Sequence, residues 1–522
     1  MNGMFPTLAG LRRSRIVLGS LICCGMSDVA TVATGAPEAA DERGPGPVPK
    51  LADSRARRLY WLWPALLTLV YGLWGIRTPA LWADELATWG AVRLSWGGLY
   101  RLCGNVDAVV APYYTLVKVW TSIAGSSTVA LRLPSVGAMT LAAALVAVLG
   151  AQVDAGRPDR ARRTGLIAGL AFAVIPTTSR YAQEARPYAF AILFAVLATL
   201  LLVRLVQRPS AGRCALYALA ILGLGAFHLM ALLLLLAHPV LAWRRAARAW
   251  AVSAAAGVLP LLPLAFIGYR QSGQISWIPR ANWRVLLSAP DTLFIVGVVA
   301  GFVIVLGLLA FSRRREVLLL VAWALVPALV LYAVAKVTPL FWPRYLLYTV
   351  PAWVLLAALT LTRLTLRRAV AVLVALVLVS DPAQYALRAS DGHSHADKSA
   401  GSIIRVNERP GDGIAYKLDD QPEPWEGRDL VAKYVPADRQ PRDVFAVTPQ
   451  RTDGHLLATE CADLTACLDR ADPPRMWIIR FGTQTDPLFT IGRTKENLLR
   501  SRYRLVQLWL VRGLTVALYA RG

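Results

Sequence analysis

The sequence predicts a polytopic α-helical membrane protein carrying a C-terminal extracytoplasmic α/β domain. Three observations predict it. Hydrophobic residues make up 56% of the 522-residue chain, and its mean hydropathy is +0.48. Between residues 59 and 385 one apolar run follows another, many of roughly 16–22 residues, near the length that crosses a bilayer. Beyond residue 385 the runs shorten and charge and proline rise. The formal charge of +24, from 56 Lys+Arg against 32 Asp+Glu, would suggest nucleic acid in a soluble chain. Here most arginines lie in short loops between apolar runs, so they report membrane topology and no nucleic-acid partner is expected.

Residues 1–58 are expected to form a disordered cytoplasmic tail, because 27–50 is rich in Ala, Gly, Pro and acids. Residues 16–26 are apolar but too short to span, and no convincing cleavage site follows them. Apolar segments then fall at 59–76, 112–124, 134–153, 165–178, 187–204, 214–227, 229–243, 250–268, 292–311, 316–336, 346–362 and 368–385. Arginine clusters at 157–163, 204–213, 244–248, 313–315 and 363–368 mark cytoplasmic turns. The alternate loops, including a long first one at 77–111, are then external. The reading gives about 11–12 transmembrane helices. A cytoplasmic start and an external end require an odd number, so between 112 and 153 either one segment does not cross fully or two segments are wrongly divided. Residues 386–522 read as strands near 413–418, 444–448, 476–481, 505–510 and 514–519, with helices near 397–409, 461–470 and 494–502. Cys461 and Cys467 lie close enough in sequence for a small-loop disulfide if that domain faces outward.

Three external clusters could carry chemistry. Asp84 and Glu85 follow the first apolar segment, flanked by Trp82 and Trp89. They read either as a pair capping a helix or as a half-shielded base and its partner. Residues 179–188 hold Arg180, Gln183, Glu184, Arg186 and Tyr188 at the mouth of an apolar segment. Arginines there run against the positive-inside bias, and their planar forks match phosphate oxygens. Arg344 and Tyr345 form the third cluster, with Arg344 placed either to hold a second phosphate oxygen or to pair with Glu184. Asp107, Tyr113, His228 and Trp277 are topologically near. His228 is also readable as structural, and Trp277 as an interface anchor or a sugar-stacking ring. Lys118, inside an apolar segment, either snorkels or contacts an anion.

The order of these motifs is specific. Asp84-Glu85 is followed by Asp107 and Pro112-Tyr113-Tyr114, by Arg132-Leu133-Pro134-Ser135, by 181–188, and by Pro343-Arg344-Tyr345. Over about 59–385 the chain resembles the GT-C integral-membrane glycosyltransferases of the protein O-mannosyltransferase and aminoarabinose-transferase type, especially their bacterial branch. The resemblance implies a polyprenyl-phosphate sugar donor and work at the outer face of the cytoplasmic membrane. It implies that Asp84 serves as base, with Glu85 supporting it, in a single inverting displacement. Arg186, Arg180 and Arg344 would neutralise the departing phosphate. Mannose or arabinose is the expected sugar, and a glycan, lipoglycan or protein hydroxyl the acceptor, among membrane lipids. No cofactor is certain; a divalent cation held by Asp84, Glu184 and His228 stays open. The chain departs from many relatives at Val109-Val110-Ala111-Pro112, where they have His-Pro-Pro before Tyr-Tyr. Two other readings remain: a transporter or flippase of a lipid-linked glycan, and a non-catalytic scaffold for cell-wall assembly.

Overall fold

The structure, a computed structural model, describes residues 59–418 and 423–522. The tail expected over 1–58 lies outside the described residues. Residues 59–386 form a bundle of helices. Six helices are long and apolar enough to cross a membrane: Thr128–Val153, Tyr188–Gln207, Ala247–Arg270, Arg315–Val334, Pro343–Leu361 and Leu366–Ala386. A seventh span is formed if Trp283–Phe294 and Gly297–Leu309, bent by 97°, are taken together. Leu62–Leu73, Ala211–Phe227 and Leu229–Ala242 are apolar but shorter.

This is fewer full-length spans than the 11–12 read from the sequence. The apolar segments stand close to where they were expected, but several are broken or short as helices. Pro239 opens one such break, and Leu229–Leu236 winds as a 3-10 helix. Within the 112–153 stretch the short helix is Ala111–Ala124. Its 14 residues rise only about 21 Å, short of a hydrocarbon core of about 30 Å. It packs instead against the helix Ala83–Arg93, and Lys118 donates to the carbonyls of Val92 (3.1 Å) and Leu94 at the C-terminal end of that helix. Lys118 therefore caps a helix rather than snorkelling.

The C-terminal region builds a five-stranded sheet in the order β2-β1-β5-β7-β6. Its strands are β1 Gly413–Tyr416, β2 Arg442–Asp443, β5 Arg475–Phe481, β6 Tyr503–Val511 and β7 Leu514–Arg521. β1 runs parallel to β2 and β5, whereas β7 is antiparallel to β5 and β6. A separate antiparallel pair joins β3 Ala446–Thr448 to β4 Thr459–Glu460. β5 is buried over Met476–Arg480, and Met476–Ile479 reads as a continuous apolar run rather than an alternating one. Cys461 and Cys467 are disulfide-bonded. The sequence reading missed one helix, Glu426–Tyr434, whose buried face includes Glu426, Arg428 and Asp429.

That helix positions the site. The C-terminal domain and the segment 77–111 share one hydrophobic core, in which Leu81, Leu86 and Trp89 pack with Ile404, Leu430 and Trp477. Polar bonds sew the two together. The Leu81 amide donates to the Tyr434 hydroxyl at 2.7 Å, and the Trp425 indole donates to the Ala83 carbonyl at 3.0 Å. Lys398 donates to the carbonyls of Arg77 and Thr78. At Gly90 a Cβ would fall 2.5 Å from the Arg451 guanidinium carbon, which is held by Asp429. Glycine is therefore required for this approach.

Candidate functional site

Asp84 and Glu85 open the helix Ala83–Arg93, where negative charge suits the helix dipole. No side chain caps that helix, so hydrogen-bonded capping is not their role. Successive residues on a helix point about 100° apart, and the two carboxylates meet different partners.

Glu85 is fully buried and accepts two parallel hydrogen bonds from Arg132, at 2.8 and 2.6 Å. It also accepts from the Ala185 amide at 2.9 Å. Arg132, also fully buried, spends its remaining donors on the carbonyls of Ile76, Pro79 and Ala80. Burial acts to raise the Glu85 carboxyl, but the Arg132 guanidinium overrides it and holds the group well below the usual carboxylate range. His393, 3.2 Å from Arg132, is kept neutral by burial and by the cations Arg180 and Arg132. Glu85 is thus an anchor that ties the start of the helix Thr128–Val153 to residues 76–85 and to residue 185.

Asp84 faces the other way. Its Oδ2 lies 3.3 Å from Arg344 Nη2 and 3.7 Å from Arg186 Nε, in ion-pair range of both but without a hydrogen bond. Arg344 stacks over Trp82 at 5.0 Å and over Trp342 at 5.8 Å. The expected alternative, Arg344 with Glu184, is not the pair formed. Glu184 instead binds Arg180 at 2.5 Å, and burial raises its carboxyl against the pull of that cation. Asp107 is held in the left-handed region at φ 61° and accepts from Tyr114, whose hydroxyl meets Arg186 at 3.5 Å. His228 packs its ring between Tyr188 and Tyr345. Buried polar atoms without partners gather here: Trp82 Nε1, Asp84 Oδ2, Glu184 Oε1, Arg186 Nε, His228 Nδ1 and Arg344 Nε. Buried groups of this kind need an explanation, and a polar ligand carrying both donors and acceptors would supply it.

The other expected residues sit elsewhere. Gln183 donates to the carbonyls of Gly72 and Trp74, closing the end of the helix Leu62–Leu73. Tyr113 is fully buried beside Phe190. Trp277 lies at a rim, edge-on to Trp342 at 5.0 Å. Asp84, Glu184 and His228 do not converge as metal ligands: among the described residues no group of three or more His, Cys, Asp or Glu side chains could hold an ion. Asp84 faces arginines, and Glu184 is already paired. Sequence reasoning missed the role of Arg132, although it marked the Arg132–Ser135 motif. It also missed Glu423 and Trp425 of the C-terminal domain. Arg132 carried a signal, being a lone arginine in the second turn of an apolar helix, far from the arginine-rich loops.

Comparison with known proteins agrees with this architecture. The family model of the Protein O-mannosyl-transferase TMEM260 N-terminal domain matches residues 98–251. No curated protein matches the chain. Among solved structures, ArnT from Cupriavidus metallidurans in the apo state superposes with a TM-score of 0.52 at 14% identity, over 90% of this chain and 98% of that one. The same protein bound to undecaprenyl phosphate gives 0.48 at 14% identity, over 90% and 98%. The apo Archaeoglobus fulgidus oligosaccharyltransferase gives 0.47 at 11% identity, over 81% and 69%. The likeness to apo ArnT is one of fold: a bundle of apolar helices followed by a sheet-containing C-terminal domain.

Proposed function

We propose that this protein transfers a single mannose- or arabinose-type sugar from a polyprenyl phosphate to an acceptor hydroxyl, with inversion, at the outer face of the cytoplasmic membrane. The observation that carries this reading is Asp84 set between Arg186 and Arg344. Two guanidiniums that meet one carboxylate without hydrogen bonding to it suit a second anion, and a lipid-linked phosphate is one. The donor phosphate draws both arginines toward itself and leaves Asp84 free to accept a proton. The acceptor hydroxyl then loses its proton to Asp84 as its oxygen bonds to the anomeric carbon. The bond from that carbon to the phosphate oxygen breaks, and the phosphate leaves with the electron pair. Once the donor is bound, Arg186 and Arg344 face the charge that develops, so little further reorganisation is needed in the transition state. The arginine-rich loops support an extracytoplasmic site, since they cluster at the other end of the bundle.

The test is to incubate purified protein with several polyprenyl-phosphate sugars and to detect the released lipid phosphate and glycosylated product by mass spectrometry. Asp84→Asn is expected to abolish product while leaving the protein folded. Full activity in that variant would remove Asp84 from the mechanism.

A further inference from the structure

A carboxyl from the C-terminal domain reaches the same site. Trp425 donates to Ala83, the residue before Asp84, and thereby brings the segment 423–425 against the start of the Asp84 helix. Glu423 has a buried Oε2 with no hydrogen-bond partner. Behind it lies a polar cluster. His395 meets Glu426 at 3.0 and 3.1 Å, and Asp397 is fully buried.

From this geometry we propose that Glu423 and Trp425 form the acceptor subsite, and that the acceptor is an uncharged glycan. The proposal rests on the glycosyl-transfer reading. A carboxylate offers two oxygens that accept from neighbouring hydroxyls, and a half-buried indole covers the apolar face of a sugar ring. That pairing recognises a vicinal diol. An acceptor that set a phosphate or carboxylate against Glu423 would meet a carboxyl and no free cation, because Arg186 and Arg344 are engaged by Asp84 and the donor phosphate. Peptide acceptors lack the paired hydroxyls.

The charges facing Glu423 come from several elements: Asp84 and Asp397 raise its carboxyl, His395 and Arg344 lower it, and Glu426 of the following helix adds a further acid. Burial is the largest influence, and the group titrates at about 7.

Dicyclohexylcarbodiimide, which couples to protonated carboxyls in apolar surroundings, tests this on the full chain without turnover. Peptide mass mapping is expected to find Glu423 modified at about pH 6 and spared well above its titration point. Octyl mannoside should protect Glu423, whereas octyl mannoside 6-phosphate and a Ser/Thr peptide should not. In the transfer assay Glu423→Gln should raise KM for octyl mannoside about tenfold, the loss of one charged hydrogen bond, with binding of undecaprenyl phosphate unchanged. Protection by the phosphorylated glycoside or the peptide alone, or by none of the three, overturns the proposal. A wild-type protein that shows the protection yet fails to bind undecaprenyl phosphate would support the acceptor subsite and count against the donor reading only.

Discussion

At the scale of single residues, adjacent carboxylates have opposite fates. Asp84 faces guanidiniums it does not hydrogen-bond, whereas Glu85 is consumed by one it does. The two arginines of the site should differ from Arg180 in the same way. Arg344→Lys keeps the charge but loses the planar fork, and is expected to lower kcat about a hundredfold. Arg180→Lys should do less, because Arg180 is committed to Glu184. Equal losses in steady-state kinetics would reject this ranking. Glu423 makes a separate prediction. Its carboxyl is raised from 4.5 to about 7, chiefly by burial. A group raised in the folded state contributes stability that is full below its unfolded value and is lost as pH rises through its folded one. Glu423→Gln, which does not titrate, should therefore match the wild type near pH 4.5 and melt at a higher temperature above pH 7. A difference in melting temperature that is flat with pH would contradict this. The sequence displayed Asp84, Arg186 and Arg344 through their position against the topology. It did not display Glu423, because an acid in a charged, proline-containing stretch reads as solvated surface.

At the scale of elements, the Arg132–Glu85 pair joins a long helix to a short one. Arg132→Met should leave Glu85 buried and unpaired, at a cost of about 3–5 kcal/mol. Adding Glu85→Gln should recover much of that loss, since the uncompensated charge is gone. Thermal melts of the two single variants and the double variant measure the coupling, and simple additivity would show that the pair is not a unit. The disulfide makes a smaller contribution. Cys461 and Cys467 are six residues apart, and so short a loop restricts the unfolded chain by only about 2 kcal/mol. Hydrophobic runs located the helices well, because periodicity and length are local properties. Whether a run forms one straight helix is not local. The 97° bend between Phe294 and Gly297 and the short helix Ala111–Ala124 depend on what packs against them. The helix Glu426–Tyr434 escaped notice because its buried face is charged: Arg428 pairs with Asp443 and Glu460, and Asp429 with Arg451.

At the scale of the whole molecule, the described chain has two polar ends. One holds Asp84 and the C-terminal domain. At the other, buried Asp154 accepts from Thr164 at 2.9 Å and from Arg314 at 3.0 Å, among the arginine-rich loops. Among the described residues two cysteines outside the disulfide mark these ends, Cys103 near the first and Cys214 near the second. In intact cells carrying Ser in place of Cys23, Cys24, Cys103 and Cys214, a membrane-impermeant maleimide should label Tyr100→Cys, at an exposed position near the first end, and spare Arg208→Cys near the second. The reverse pattern would invert the proposed orientation.

The helix Thr128–Val153 connects both ends, with Arg132 in its first turns and Asp154 just past its last. It therefore acts as a gauge of rotational phase as well as of length. One residue inserted at its middle would turn one end by about 100° against the other and swing an anchor off its partner. Seven inserted residues would nearly restore the phase while lengthening the rod by about 10 Å. Angle and reach cannot both be kept, so the interior of this helix tolerates substitution far better than any change in residue count.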